Sequence, residues 1–252
     1  MKILPLLVLF LMFAPAVEAQ RRGSPKPRPA AQPRSQEIGQ TAVIFDETLS
    51  VLRDGPSLFA NAIQRMRLGR KMVIRDVKRA DGVTFYRVTA APSYDGWVQA
   101  DAVITKFRAD DESRFFDLIL AASGFEQIEM AVHFSELFPR SEKRPAILLL
   151  LGDLLEDTAN KLSGDANRRL NRRQMAATQA PLHSYYLNFV SLDRYRRLGI
   201  KFVFNSSTLK YHYDGESWSE IAKNFSGSEQ AAEANQRLDT LKQKMEATAA
   251  KR

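Results

Sequence analysis

The sequence predicts a multi-domain protein: a small all-β domain followed by an all-α helical-hairpin domain. Three observations predict this. Short β-prone runs, separated by turn residues, recur about every ten residues between 41 and 104. Apolar residues at helical spacing dominate 105–252. An export-signal pattern and a Pro/Arg-rich stretch precede both. The chain has 252 residues, a formal net charge of +8 and no cysteine. That length allows one or two domains. The missing cysteine excludes disulfides, Cys-ligated zinc, a cysteine nucleophile and a lipid anchor on an N-terminal cysteine.

Residues 1–19 read as a signal peptide. Lys2 supplies the positive start, Ile3 to Phe13 is apolar apart from Pro5, and Val17-Glu18-Ala19 places small residues at a cleavage site before Gln20. The apolar stretch is short for a spanning helix, which needs about 20 residues. The expected localisation is export, periplasmic or secreted, with no transmembrane helix after signal cleavage. Residues 20–40 read as a disordered tether. Four prolines and five basic residues against Glu37 alone leave a net +4, half of the +8 total. Such a segment buries too little to offset its ordering entropy. It is either a contact for an anionic envelope surface or a solubilising spacer.

Residues 41–104 carry the β signals. Leu49-Ser50-Val51 alternates, while Met72-Val73-Ile74 and Phe85-Tyr86-Arg87-Val88 are β-prone. Asp54-Gly55-Pro56, Leu68-Gly69, Asp81-Gly82 and Asp95-Gly96 are turn signals. Four blocks occur in order: Leu49-Ser50-Val51-Leu52-Arg53-Asp54-Gly55-Pro56-Ser57, Gly69-Arg70-Lys71-Met72-Val73-Ile74, Phe85-Tyr86-Arg87-Val88 and Gly96-Trp97-Val98-Gln99-Ala100-Asp101. They resemble the bacterial SH3 (SH3b, or SH3 type 3) domain family. Leu52 is an extra residue relative to the family pattern, and Phe85 stands where a Trp is usual. The resemblance implies a five- or six-stranded SH3-like barrel that binds cell-wall peptide or a protein. A groove for such a ligand needs exposed aromatic faces and a few polar handles. Tyr86, Tyr94 and Trp97, with Arg53 and Asp54, are the candidates. Phe85, Val88 and Val98 are expected in the core.

Residues 105–252 read as helical. Asp110 and Asp111 can cap a helix starting near Glu112. Ile128, Ala131, Phe134 and Phe138 share a helix face that ends before Pro139. Ser141 can cap the next helix, whose segment Ala146–Leu155 is apolar nearly all round and so central. Residues 165–197 form one or two further helices, interrupted near Pro181. Around 200–214, Ile200–Phe204 and Lys210–Gly215 suggest two short strands or an extended insertion. Ser217-x-x-Glu220 has a capping-box pattern, and Ala231, Ala234, Leu238, Leu241 and Met245 form the stripe of a last helix. Phe134-xxx-Phe138-xx-Ser141-Glu142 is echoed by Ile221-xxx-Phe225-xx-Ser228-Glu229, 87 residues on. These corners resemble those of tetratricopeptide-like repeats, which implies stacked helical hairpins with a concave, partner-binding face.

No HExxH, P-loop, G-x-S-x-G or G-x-G-x-x-G occurs, so no cofactor, metal site or catalytic residue is assigned. Asp153, Glu156 and Asp157 form an acidic helix face. Arg168, Arg169, Arg172 and Arg173 read as a basic stripe on one helix face, a candidate anion site. With the export signal, that charge favours an envelope surface and no nucleic acid as partner. The expected function is a non-enzymatic exported bacterial envelope protein, binding cell-wall peptide or an envelope protein through the β domain and a protein partner through the helices. The alternative is a cell-wall hydrolase, or its activator, using carboxylates of the helical domain.

Overall fold

In a computed structural model the described residues are 35–170, 172–178 and 180–246. The export segment and residues 20–34 of the expected tether lie outside them. The N-terminal region is a seven-stranded antiparallel sheet and the C-terminal region is mainly helical. The strands are β1 (Thr41–Ile44), β2 (Val51–Arg53), β3 (Ala62–Arg65), β4 (Lys71–Ala80), β5 (Val83–Ala90), β6 (Tyr94–Gln99) and β7 (Val103–Thr105). Their order across the sheet is β3-β2-β6-β5-β4-β1-β7.

The period-2 pattern of β5 explains its place. Tyr86, Val88 and Ala90 enter the sheet core with Val98, which lies opposite Tyr86. Phe85 is also fully buried. Gly96 is required where β6 meets β2, because a Cβ there would stand 2.7 Å from the Arg53 carbonyl oxygen. The β2–β3 ladder slips between Leu52 and Arg53, which pair with Gln64 and Ala62. Ile63 is thereby left over on β3, a bulge at the sheet edge.

β1 and β7 are buried on both faces. Ala42, Ile44 and Val103 join the sheet core, while Val43 and Ile104 join the helical core. The helices are α1 (Asp111–Ala121), α2 (Gly124–Leu137), α3 (Arg144–Arg169), α4 (Arg172–Thr178), α5 (Leu182–Leu187), α6 (Asp193–Arg196), α7 (Glu216–Asn224) and α8 (Gln230–Glu246). Asp111 does not cap α1. Its carboxylate, 1% exposed, accepts hydrogen bonds from Thr105 N at 2.6 Å, Thr105 Oγ1 at 2.9 Å and Arg108 Nε at 2.8 Å, tying β7 to α1. A buried charge needs such partners to be tolerated.

The two echoing corners have the same hydrogen bonds. Phe138 N donates to Phe134 O, Ser141 N to Phe138 O and Arg144 N to Ser141 O. Phe225 N, Ser228 N and Ala231 N donate to Ile221 O, Phe225 O and Ser228 O. The α2–α3 and α7–α8 hairpins pack together through α3 and α7. Arg144 joins the corners, 2.6 Å from Glu220 and over the Phe225 ring at 5.7 Å. Ser217 does not form the expected capping box. It lies inside α7, and the Asp214 carboxylate accepts Glu216 N instead.

Strands β8 (Phe202–Asn205) and β9 (Lys210–Tyr213) form an antiparallel hairpin laid on α3. Tyr211 N donates to Ser163 Oγ at 2.7 Å, and Tyr213 N to Glu156 at 3.0 Å. Tyr186 stacks on Phe204 with ring centroids 4.3 Å apart. Among the described residues no helix is long and apolar enough to cross a membrane.

Candidate functional site

A groove of about 440 Å³ opens between the two helical hairpins. Its floor is apolar: Leu148, Leu151 and Leu155 of α3, with Ile200 and Tyr213 from the inserted segment. The rim is acidic. Glu136 on α2 and Glu216 and Glu220 on α7 face Arg144, which Glu220 already pairs. Glu136 is paired outward with Lys71, and Glu216 makes no ion pair among the described residues. The helix periodicity explains the arrangement. Positions 144, 148, 151 and 155 of α3 fall on one face, and the flanking hairpins raise walls beside it.

Trp218 fixes one wall. It is buried to 2% and packs on Gly152 so closely that a Cβ there would lie 2.2 Å from its Nε1. Tyr213 meets the same indole edge-on at 5.5 Å, and its hydroxyl accepts Ser217 N at 2.8 Å. Burial raises the Tyr213 phenol to about 12, so it stays neutral. Three polar atoms at this wall are buried without a hydrogen-bond partner: Arg144 Nε, Ser217 Oγ and Trp218 Nε1.

The acidic face of α3 is fully engaged. Asp153 pairs with Arg237 at 2.9 Å and Asp157 with Lys161 at 2.6 Å. Glu156 takes His212 Nδ1 at 3.2 Å, Lys244 Nζ at 2.9 Å and the Tyr213 N–H. Burial alone would raise the Glu156 pKa, but these three partners outweigh it and hold the carboxyl at about 2. Such a group braces α3 against β9 and α8, and a proton donor would need the opposite shift. Among the described residues no group of three His, Asp or Glu side chains could hold a metal.

The residues expected to line a groove on the sheet lie apart. Tyr86 is buried in the sheet core, edge-on to Phe107 at 6.4 Å. Tyr94 is half-buried on the same face, with Arg70 over its ring at 5.5 Å. Trp97 belongs to the opposite face, since it pairs with Arg87 and Arg53, and Lys78 covers its ring at 5.4 Å. Arg53 Nη1 donates to Ala60 O, and Asp54 accepts Asn61 Nδ2, so both close the β2–β3 loop. That loop instead exposes Phe59, 89% accessible, beside the bulged Ile63.

The arginine stripe is also divided. Leu170, with ψ 122°, ends α3 before α4 begins, so the four arginines do not share one helix face. Arg168 pairs with Asp165 at 2.6 Å, and Arg169 lies over Phe189 at 5.5 Å. Both also sit at the negative end of the α3 dipole. Arg173 is exposed on α4, and the Arg172 side chain lies outside the described residues.

The repeated Phe-xx-Ser-Glu corner implies a concave face between stacked hairpins, but sequence reasoning named none of the groove residues, because its walls come from segments some 80 residues apart. No family model, curated protein or solved structure matches the chain.

Proposed function

We propose that the chain is a non-enzymatic, exported bacterial envelope protein that binds a protein partner in the groove between its helical hairpins. The acidic-rimmed apolar groove carries this reading. An apolar floor with glutamates along its edge suits an amphipathic segment with basic flanks, because burial supplies affinity and the rim sets orientation and selectivity. The equivalent hydrogen bonds of the two corners support a tetratricopeptide-like architecture, whose concave face serves this purpose.

An SH3b assignment for the sheet rests on the four sequence blocks. They fall on β2 and its turn, the turn into β4, β5, and β6 with the following 3-10 turn. Gly69 and Gly96 stand where a side chain would collide with Glu129 and Arg53. Cell-wall peptide is the ligand proposed for this sheet, with Phe59 and Ile63 its exposed apolar contacts.

Two measurements on the full chain test these readings. A fluorescent Lys/Leu amphipathic peptide should bind, its Glu/Leu counterpart should not, and Glu136→Lys with Glu216→Lys should weaken binding at least about tenfold. Equal binding of both peptides would refute the groove. Sedimentation with isolated peptidoglycan should retain the protein and lose it with Phe59→Ser; absence of retention removes the wall ligand. Release of soluble muropeptides by the same protein would favour the hydrolase alternative.

A further inference from the structure

A second cavity, of about 320 Å³, lies at the seam where the sheet meets α2 and α6. The β3–β4 turn contributes Arg67 and Arg70, β4 contributes Lys71, and the segment at α6 contributes Arg194 and Arg197. Against these five cations stand Glu129 on α2 and, reaching Lys71 from the rim, Glu136. Glu126, also on α2, acts on Arg67 as well, so five positive and three negative groups leave a surplus of two. Burial holds the His133 pKa below its ordinary value, so that ring adds no charge at neutral pH.

The site is built rather than merely charged. Arg67 grips Glu129 with both terminal nitrogens, and Arg70 Nη1 donates to Ala91 O. Gly69, at φ +71°, lets the Glu129 carboxylate come within 2.9 Å of where a Cβ would be. Arg194 lies over Phe125 at 4.7 Å and donates to Tyr195 Oη at 2.7 Å. Donor capacity is left over. Arg70 Nε is buried without a hydrogen bond, whereas His133 Nδ1 faces the Glu136 carboxylate. His133 stands 3.5 Å from Glu136. Arg197 is exposed and makes no ion pair among the described residues.

Cations that line one cavity repel one another, and an anion among them relieves that repulsion. A carboxylate would answer one charge of two. A phosphate brings about two negative charges and a diphosphate more, and their oxygens match arginine forks. We propose that this seam cavity binds a phosphate or diphosphate group, held by Arg70, Arg194 and Arg197 with Arg67 and Lys71 at its edge. The cavity adjoins the groove between the hairpins: Leu198 lines both, and Glu136 of the groove rim reaches Lys71.

Calorimetric titration of the full chain with inorganic pyrophosphate, orthophosphate and acetate, at about 0.15 M salt, tests this. Pyrophosphate should bind more tightly than orthophosphate, with acetate silent. Arg197→Ala should weaken pyrophosphate roughly tenfold, while Arg168→Ala, which removes the same charge at the end of α3, should change it less than about twofold. Unchanged thermal midpoints exclude misfolding. Co-sedimentation with phosphatidylglycerol vesicles, lost in Arg197→Ala, would assign the phosphate to a lipid headgroup; pyrophosphate binding without sedimentation would assign a soluble or polymer phosphate. No heat at millimolar pyrophosphate, acetate matching pyrophosphate, or equal loss in both variants would overturn the site.

Discussion

Gly152→Ala should destabilise this protein even though alanine is the better helix former. In an open helix the change gains about 1 kcal/mol. Here the added Cβ would lie 2.2 Å from Trp218 Nε1, 2.5 Å from its Cε2 and 2.8 Å from Ser217 Oγ. All three distances are far inside van der Waals contact. The indole is 2% exposed and cannot swing aside without opening α7 from α3. Overpacking of this kind costs about 3 kcal/mol. The net loss is therefore about 2 kcal/mol, or a fall in Tm of about 4–8 °C for a chain of this size. Thermal unfolding followed by circular dichroism reads it directly. The second half of the test is Trp218→Phe, whose single smaller ring has no Nε1 and no fused second ring. That truncation destabilises by itself, but in its background Gly152→Ala should become neutral or stabilising, a coupling that a double-mutant cycle isolates. An unchanged or higher Tm for Gly152→Ala alone would refute the packing argument, and with it the rigid wall of the groove.

Asp111→Ala should cost roughly 3 kcal/mol, because it strands the Thr105 N–H and hydroxyl at a buried junction, while Arg108 keeps the Ala100 and Val103 carbonyls; denaturant unfolding measures it. Glu156 gives an acid dependence. Its folded pKa of about 2 lies below the ordinary 4.5, so its stabilisation is present above pH 4.5 and is lost as pH falls from there towards 2. The shift corresponds to about 3 kcal/mol, and Glu156→Gln should flatten unfolding free energy across that window. His133 acts nearer neutrality. Its folded pKa is depressed by burial, so the unfolded chain takes the proton first, and stability falls as pH drops below 6.5; His133→Gln should remove that slope.

Local chemistry was legible and long-range assembly was not. The alternation in β5, the turn glycines and the apolar run of α3 each state their own structure, because period and backbone preference act within a few residues. The capping readings failed where tertiary partners outbid local ones. Asp111 serves β7 rather than the N–H groups of α1, and Ser217 is drawn inside α7 beside Trp218. The aromatic candidates on the sheet were chosen by residue type. Exposure depends on strand register, which buries Tyr86 and turns Trp97 to the other face. The arginine stripe assumed one continuous helix, and Leu170 interrupts it. The seam cavity was invisible for a simpler reason. Its cations come from positions 67–71 and 194–197, which only the folded chain brings together.

The pairing of Gly152 with Trp218 also has a consequence for how the chain is made. Trp218 follows Gly152 by 66 positions. During synthesis α3 therefore emerges with Leu148, Leu151 and Leu155 uncovered, and nothing that follows immediately can take the place of α7. Closure of the two hairpins is a late, non-local event, and its entropy cost is met only once the β8–β9 strands have brought α7 back. Until then α3 carries an apolar face that α7 has yet to cover, the kind of surface that makes partly folded chains prone to aggregate.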